Sequence, residues 1–194
     1  YESDNSYGDA KLNVWSYNDN KWTYDINGNP VSYIKTSSNT NKNTNEIWKY
    51  DANGKKINHI KSEYNGSVNT DENWIYDDNG NISIYTQNVY NLTTLAQRSE
   101  EKYIYDSYNN VLNKDVIYSS ITNDGSIVIT GKKNSTWSYD QYGNTLTFIE
   151  DGKSLYMNNS SYRNEENWKY NNGQAIEHFR KEYQGYGDNL TLNK

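Results

Sequence analysis

Short stretches of alternating apolar and polar residues run along the whole chain, and polar breaks interrupt them at recurring intervals. Trp74-Ile75-Tyr76 alternates, Asp77 to Gly80 breaks the pattern, and Ile82-Ser83-Ile84-Tyr85 alternates again. Two period-2 segments around an Asn-Gly break predict a β-hairpin. Gly80 suits the left-handed last position of a type I turn, and Asp77 and Asn79 suit the residues that lead into it. With Asp77 opposite Asn81, Tyr76 faces Ile82 and Trp74 faces Ile84, which places an aromatic-aliphatic ladder on one face.

The phrase Trp-x-Tyr-Asp-x-Asn-Gly recurs at 22–28, 48–54 and 74–80. Looser copies begin at Tyr103 and Trp137, a copy one residue shorter begins at Trp168, and a half copy stands at Trp15. Internal repetition decides the fold class ahead of any local feature. The anchors Trp22, Trp48, Trp74, Tyr103, Trp137 and Trp168 are spaced 26, 26, 29, 34 and 31 residues apart, so length changes fall in the loops. Eleven residues after each anchor stand Tyr33, His59, Tyr85, Lys114 and Phe148, with His178 in the shortened copy, all expected on the face opposite the Trp ladder. The return strands close on Tyr64, Tyr90, Tyr118, Tyr156 and Tyr183. The expected fold is a single all-β domain over 1–194 with almost no helix. It is an antiparallel meander of about six hairpins and about a dozen strands, forming an elongated twisted sheet or an open curled one.

Composition qualifies this picture. Leu, Ile, Val and Phe make only 32 of 194 residues, a level that ordinarily suggests disorder. Aromatic residues, at 15%, supply the missing burial through rings that tolerate partial exposure. Asn, at 33 residues, matches the demand of many turns. No run of about 18 apolar residues occurs, so no helical membrane span is expected. There is no Cys, which removes disulfides and thiol chemistry. A net charge of −6 without a basic cluster argues against nucleic-acid binding. The chain opens at Tyr1, with neither an initiator Met nor a leader-like segment, which fits a secreted protein whose signal peptide is removed.

Each candidate site has a structural alternative. His59 and His178 occupy slots that elsewhere hold Tyr or Phe, so packing is expected of them rather than catalysis or metal ligation. Glu63 and Glu182 lie in corresponding Glu-Tyr pairs of distant repeats and suit solvent-facing partners of Lys better than a glycosidase pair. No nucleophile elbow, phosphate loop or zinc-binding motif occurs, and the chain reads as a non-enzyme without cofactor or metal. Asp25, Asp51, Asp77, Asp106 and Asp140 gather oxygen in the turns, but no turn carries the spacing of a calcium loop, and an Asx-type turn role is expected. The row Trp22, Trp48, Trp74, Trp137 and Trp168 is either the core of the sheet or a platform for stacking on sugars.

Tyr24-Asp25-Ile-Asn27-Gly28-Asn29, Tyr76-Asp77-Asp-Asn79-Gly80-Asn81 and Tyr139-Asp140-Gln-Tyr142-Gly143-Asn144 resemble the YD repeats of rearrangement-hotspot proteins. They resemble still more the Tyr-Asp-x-Asn-Gly-Asn repeats of secreted and surface proteins of bacteria, especially the Bacteroidetes. The resemblance covers about residues 15–185 and implies an extracellular or cell-surface β-repeat without implying an activity. The Arg that commonly follows the Gly is absent, and six units do not make the closed shell of the toxin-encapsulating relatives.

The two ends are alike: Tyr7-Gly8-Asp9 precedes Leu12 and Val14, and Tyr186-Gly187-Asp188 precedes Leu190 and Leu192. Terminal strands of repeat type invite pairing with another chain. The expected function is therefore structural or adhesive: head-to-tail self-assembly through edges at Tyr7, Leu12, Val14, Tyr186, Leu190 and Leu192 into a fibre or surface array. The alternative is a carbohydrate-binding module that reads a surface polysaccharide through the Trp row.

Overall fold

The computed structural model describes residues 2–4, 18–37, 42–65, 68–122, 124–155, 159–187 and 189–193. Regular structure among them is entirely β-strand, in an open antiparallel meander whose strand order is the chain order. Tyr7, Leu12, Val14, the half copy at Trp15, and Tyr156 lie outside the described residues. Two compact units divide the chain, Tyr1–Arg98 and Ser99–Lys194.

The first unit contains β1 (Glu2–Asp4), β2 (Asn18–Tyr24), β3 (Pro30–Ser37), β4 (Lys42–Tyr50), β5 (Lys56–Asn65), β6 (Val68–Tyr76) and β7 (Ile82–Asn91). Strand β8 (Thr94–Tyr105) runs across the boundary. The second unit holds β9 (Val111–Ile121), β10 (Ile127–Tyr139), β11 (Thr145–Ser154), β12 (Ser160–Asn171), β13 (Gln174–Tyr186) and β14 (Asn189–Leu192). Among the described residues fourteen strands stand against the expected dozen, because short β1 and β14 flank the hairpins.

The Asp turns form as their sequence requires. At the third hairpin the Asp77 N–H donates to the Asn81 carbonyl at 2.8 Å and the Gly80 N–H donates to the Asp77 carbonyl at 3.0 Å. Gly80 has φ 87°, a value that a side chain strains, and Asn109, with φ 67°, fills the same position in the Tyr103 copy.

The expected register needs correction beyond the first pair. Tyr76 does oppose Ile82, but a bulge follows, so Ile75 opposes Ile84 and Trp74 opposes Tyr85 rather than Ile84. Ser83 is the extra residue, and its hydroxyl donates to the Ile75 carbonyl at 3.1 Å. The same irregularity separates Thr23 from Tyr24, Lys49 from Tyr50, Ser138 from Tyr139 and Lys169 from Tyr170. One added residue reverses every later side chain of that strand. Tyr33, His59, Tyr85, Phe148 and His178 therefore stand directly opposite the anchor Trp and share its face.

Within each unit, strands contact almost exclusively their sequence neighbours, so each unit is one layer of sheet. Burial follows from this: among the described residues Val116 is the one fully buried apolar side chain. Val116 lies in a cross-strand row with Lys133, Gly152 and Tyr162. A Cβ at Gly152 would overlap the Tyr162 ring, so the missing side chain lets that ring lie flat on the sheet. Successive hairpins are tied by tyrosine hydroxyls: Tyr50 donates to the Pro30 carbonyl at 3.0 Å and Tyr139 to that of Val111 at 2.8 Å.

Candidate functional site

The bulges gather rings into a row. In the first unit Trp22 stacks on Trp48 with centroids 5.8 Å apart, Trp48 on His59 at 5.0 Å, His59 on Trp74 at 4.5 Å, and Trp74 meets Tyr85 at 5.3 Å. The first three contacts are nearly parallel, with interplanar angles of 10°, 5° and 15°. Tyr33 closes on Trp22 at 4.4 Å. In the second unit Trp137 meets Phe148 at 5.2 Å and Trp168 stacks on His178 at 4.9 Å.

These rings stand on the sheet and turn their faces toward one another. Sugar recognition by stacking needs an open ring face, and Trp48 has both neighbours in place. The row thus supplies the burial that the scarce aliphatic residues do not, by area and by ring-ring attraction of about 0.5–1.5 kcal/mol per pair. Two ring faces are less enclosed: Trp22 is 47% exposed and the His178 side chain 45%, against 14% for His59.

Every polar-tipped side chain eleven residues after its anchor, or ten in the shortened copy, finds an acceptor two residues before that anchor. The Tyr33 hydroxyl donates to Asn20 Oδ1 at 3.0 Å, His59 Nε2 bonds Glu46 at 2.8 Å, and the Tyr85 hydroxyl donates to Glu72 at 2.6 Å. Lys114 pairs with Glu101 at 2.7 Å and His178 Nε2 bonds Glu166 at 2.9 Å. Where Phe148 offers no donor, Ser135 replaces the acid and its hydroxyl donates instead to Glu150 at 3.3 Å. This pairing rule is written in the sequence as a matched change at two spacings.

Burial lowers the His59 pKa from its ordinary 6.5, and the Glu46 bond opposes that shift without cancelling it. His59 is therefore the neutral imidazole, with Nε2–H donating to Glu46. The arrangement orients a packed ring, as expected of both histidines. Glu63 and Glu182 are each held by a base two residues earlier on their own strand, Lys61 at 2.8 Å and Arg180 at 2.7 Å.

The turn carboxylates are engaged by the turns. Asp25 Oδ1 accepts the N–H groups of Asn27 and Asn29 at 2.9 and 2.8 Å, and Oδ2 accepts the Asn29 amide at 2.9 Å. Asp140 repeats this with Tyr142 and Asn144. The Asn side-chain donors hold Asp25, Asp106 and Asp140 below the usual carboxylate range. Asp77 is also low: burial pushes it up, and the N–H groups of Asn81 and Asn79 outweigh that. No group of three or more His, Asp or Glu side chains placed to hold a metal occurs among the described residues.

Of the expected assembly edges, Tyr186, Leu190 and Leu192 fall in the β13–β14 hairpin, with Tyr186 70% and Leu192 52% exposed. Strand β14 covers β13 only at Tyr183–Tyr186, with one further bond from the Asn193 N–H to the Glu182 carbonyl. Gln174–Lys181 thus has no strand on that side among the described residues, and all eight are exposed. At the other end β1 pairs with β2 at Asn18–Asn20, and among the described residues no strand covers Lys21–Tyr24 on that side.

No family model matches the chain, and no curated protein does. Among solved structures, a protein of unknown function from Bacteroides fragilis matches 71% of this chain and 81% of its own, at 10% identity and a TM-score of 0.25. A likeness that distant carries neither fold nor function across.

Proposed function

We propose that the chain is an extracellular structural or adhesive β-repeat of a bacterial surface, without enzymatic activity, that associates head-to-tail through its terminal strands. The observation behind this reading is the pair of uncovered edges and the rings beside them. Inside the molecule a return strand pairs with the next outgoing strand; at β5–β6 this sets His59 against Trp74, whereas Tyr33, Lys114 and Phe148 oppose the residue two before the next anchor. Strand β13 is a return strand with His178 at its uncovered edge, and β2 is an outgoing strand with Trp22 at its own. A second copy whose β2 joins β13 would continue the stack as His59 and Trp74 continue it within the chain.

Other features of the ends agree. Tyr24, 60% exposed, is the counterpart of Tyr50, whose hydroxyl ties its hairpin to the preceding one. Exposed Ile176 and Phe179 lie along the uncovered part of β13. Unpaired edges recruit other chains unless blunted, and a contact between two different surfaces that does not close by rotation gives an open fibre. This reading adds Gln174–Lys181 and Lys21–Tyr24 to the expected assembly edges at Tyr186, Leu190 and Leu192.

Analytical ultracentrifugation over a wide concentration range, with electron microscopy of the same samples, tests the reading. Self-association should appear in the wild type and be lost in Trp22→Asp and in His178→Asp, with circular dichroism checking that each variant keeps the strand content of the wild type. A wild type that stays monomeric at every concentration would sink the proposal.

A further inference from the structure

The face opposite the Trp row carries a different arrangement in the first unit. Cross-strand pairing sets Asn43 opposite Tyr64, Tyr64 opposite Asn69, and Asn69 opposite Tyr90, so amides and phenols alternate across β4, β5, β6 and β7. The adjacent row is polar, with Asn45, Ser62, Asp71 and Asn88. A groove of about 490 Å³ runs over these rows, with Ile34 and Leu92 at its margins. That size is typical of small-molecule sites.

Three properties define what would fit. Tyr64, 46% exposed, offers an accessible phenol, and Tyr90 stands two strands away, about 10 Å by the usual strand spacing. The Asn69 amide nitrogen donates to the Leu92 carbonyl at 2.7 Å, while Asn69 Oδ1 is enclosed and receives no hydrogen bond, as is Asn88 Oδ1 in the adjoining row. Finally, the wall includes Glu63 and Asp71 but no Lys or Arg; Arg98 acts on Tyr90 from outside the wall. Phosphates and acidic polymers are thereby disfavoured, and a lipid would leave the amide row unsatisfied.

We propose that this groove binds a neutral, linear oligosaccharide, whose pyranose faces pack on Tyr64 and Tyr90 and whose hydroxyls bond Asp71 and the exposed amide of Asn45. Sugar rings match the mixture because each has an apolar face and a rim of hydroxyl donors. The spacing of the two tyrosines suits a short chain of sugars rather than a single ring. This site is independent of the terminal edges, since none of its residues lies on β2 or β13.

Affinity electrophoresis of the full chain in gels containing neutral β-glucan, xylan, mannan or galactan provides the test, with calorimetry on any polysaccharide that retards it. At least one should retard the wild type. Tyr64→Ala and Tyr90→Ala should each weaken binding tenfold or more, Tyr64→Phe should stay close to wild type, and Trp22→Ala, on the other face, should not alter it. Circular dichroism melts of the same variants separate loss of binding from loss of folding, and Asn69→Asp gives a second probe of the groove that keeps its volume. Failure of all four polysaccharides to retard the folded protein would overturn the proposal. So would binding that survives Tyr64→Ala and Tyr90→Ala but is lost in Trp22→Ala.

Discussion

His59 and Glu46 show how single positions are chosen in this chain. His59 lies between Trp48 and Trp74 and can be neutral there only if Nε2–H has an acceptor, which Glu46 provides. Phe148 with Ser135 is the chain's own apolar version of the same pair. Replacing His59 by Phe alone leaves Glu46 partly buried without its partner and should cost about 1–3 kcal/mol. Adding Glu46→Ser should recover most of that loss, a coupling that a double-mutant cycle in urea would measure. The sign of the pH effect follows from the lowered pKa. The folded state binds the His59 proton less well than the unfolded chain does, so its stabilisation is complete above pH 6.5 and declines as the pH falls below that value. A Gln at 59 should remove this slope; if urea midpoints of wild type and His59→Gln fall in parallel below pH 6.5, the imidazole is not its source. The pairing was legible in the sequence only in part. Matched residues at both positions are plain to read, but without the bulge they fall on opposite faces.

At the level of the hairpin, period-2 patterning and the Asn-Gly breaks located the strands and turns because those signals arise from local backbone sterics. The bulge was not legible. Its extra residue is aliphatic in four hairpins, Val31, Ile57, Leu146 and Ile176, but Ser83 in the third, and an aliphatic residue there reads equally well as a regular strand position. It is imposed by the geometry of leaving the turn. The turn itself gives two predictions. Gly143, at φ 83°, should tolerate Asn better than Val, because Asn109 already adopts the left-handed region at φ 67° in the equivalent turn. Gly143→Val should cost at least about 1 kcal/mol, read from thermal melts. The second concerns acid. Asp25, Asp77, Asp106 and Asp140 are all held low in the fold, so their contribution is present above the ordinary carboxylate range and is lost as the pH falls through their lowered values. Asp140→Asn should flatten the acid limb of a melting profile; a limb as steep as that of the wild type would show that this turn carboxylate is not its source. The Tyr64–Tyr90 groove was the least legible feature, since its row depends on the registers of three successive strand pairings, and the loops between them vary in length and composition.

For the molecule as a whole, the consequence of units in which strands touch almost exclusively their sequence neighbours is that damage should remain local. The sharpest place to test this is Gly152. Its side-chain vacancy holds the Tyr162 ring, whose hydroxyl donates to Glu150 at 3.0 Å and whose pKa is pushed up to about 12, first by burial and then by that carboxylate. Glu150 also meets Lys133 at 3.2 Å, so one displaced ring disturbs β10, β11 and β12 together. Gly152→Val forces the ring off the sheet and should cost about 1–3 kcal/mol. The phenol, once in water, should titrate nearer to 10 in an ultraviolet absorbance titration. Hydrogen exchange then reads how far the loss travels. Protection should fall across β10–β12 and remain at wild-type levels across β4–β6, where the stack of Trp48, His59 and Trp74 is untouched. Trp48→Ala should produce the opposite map. A uniform fall of protection in both variants would mean that the chain unfolds as one cooperative body, and that neighbour contacts alone do not account for its stability.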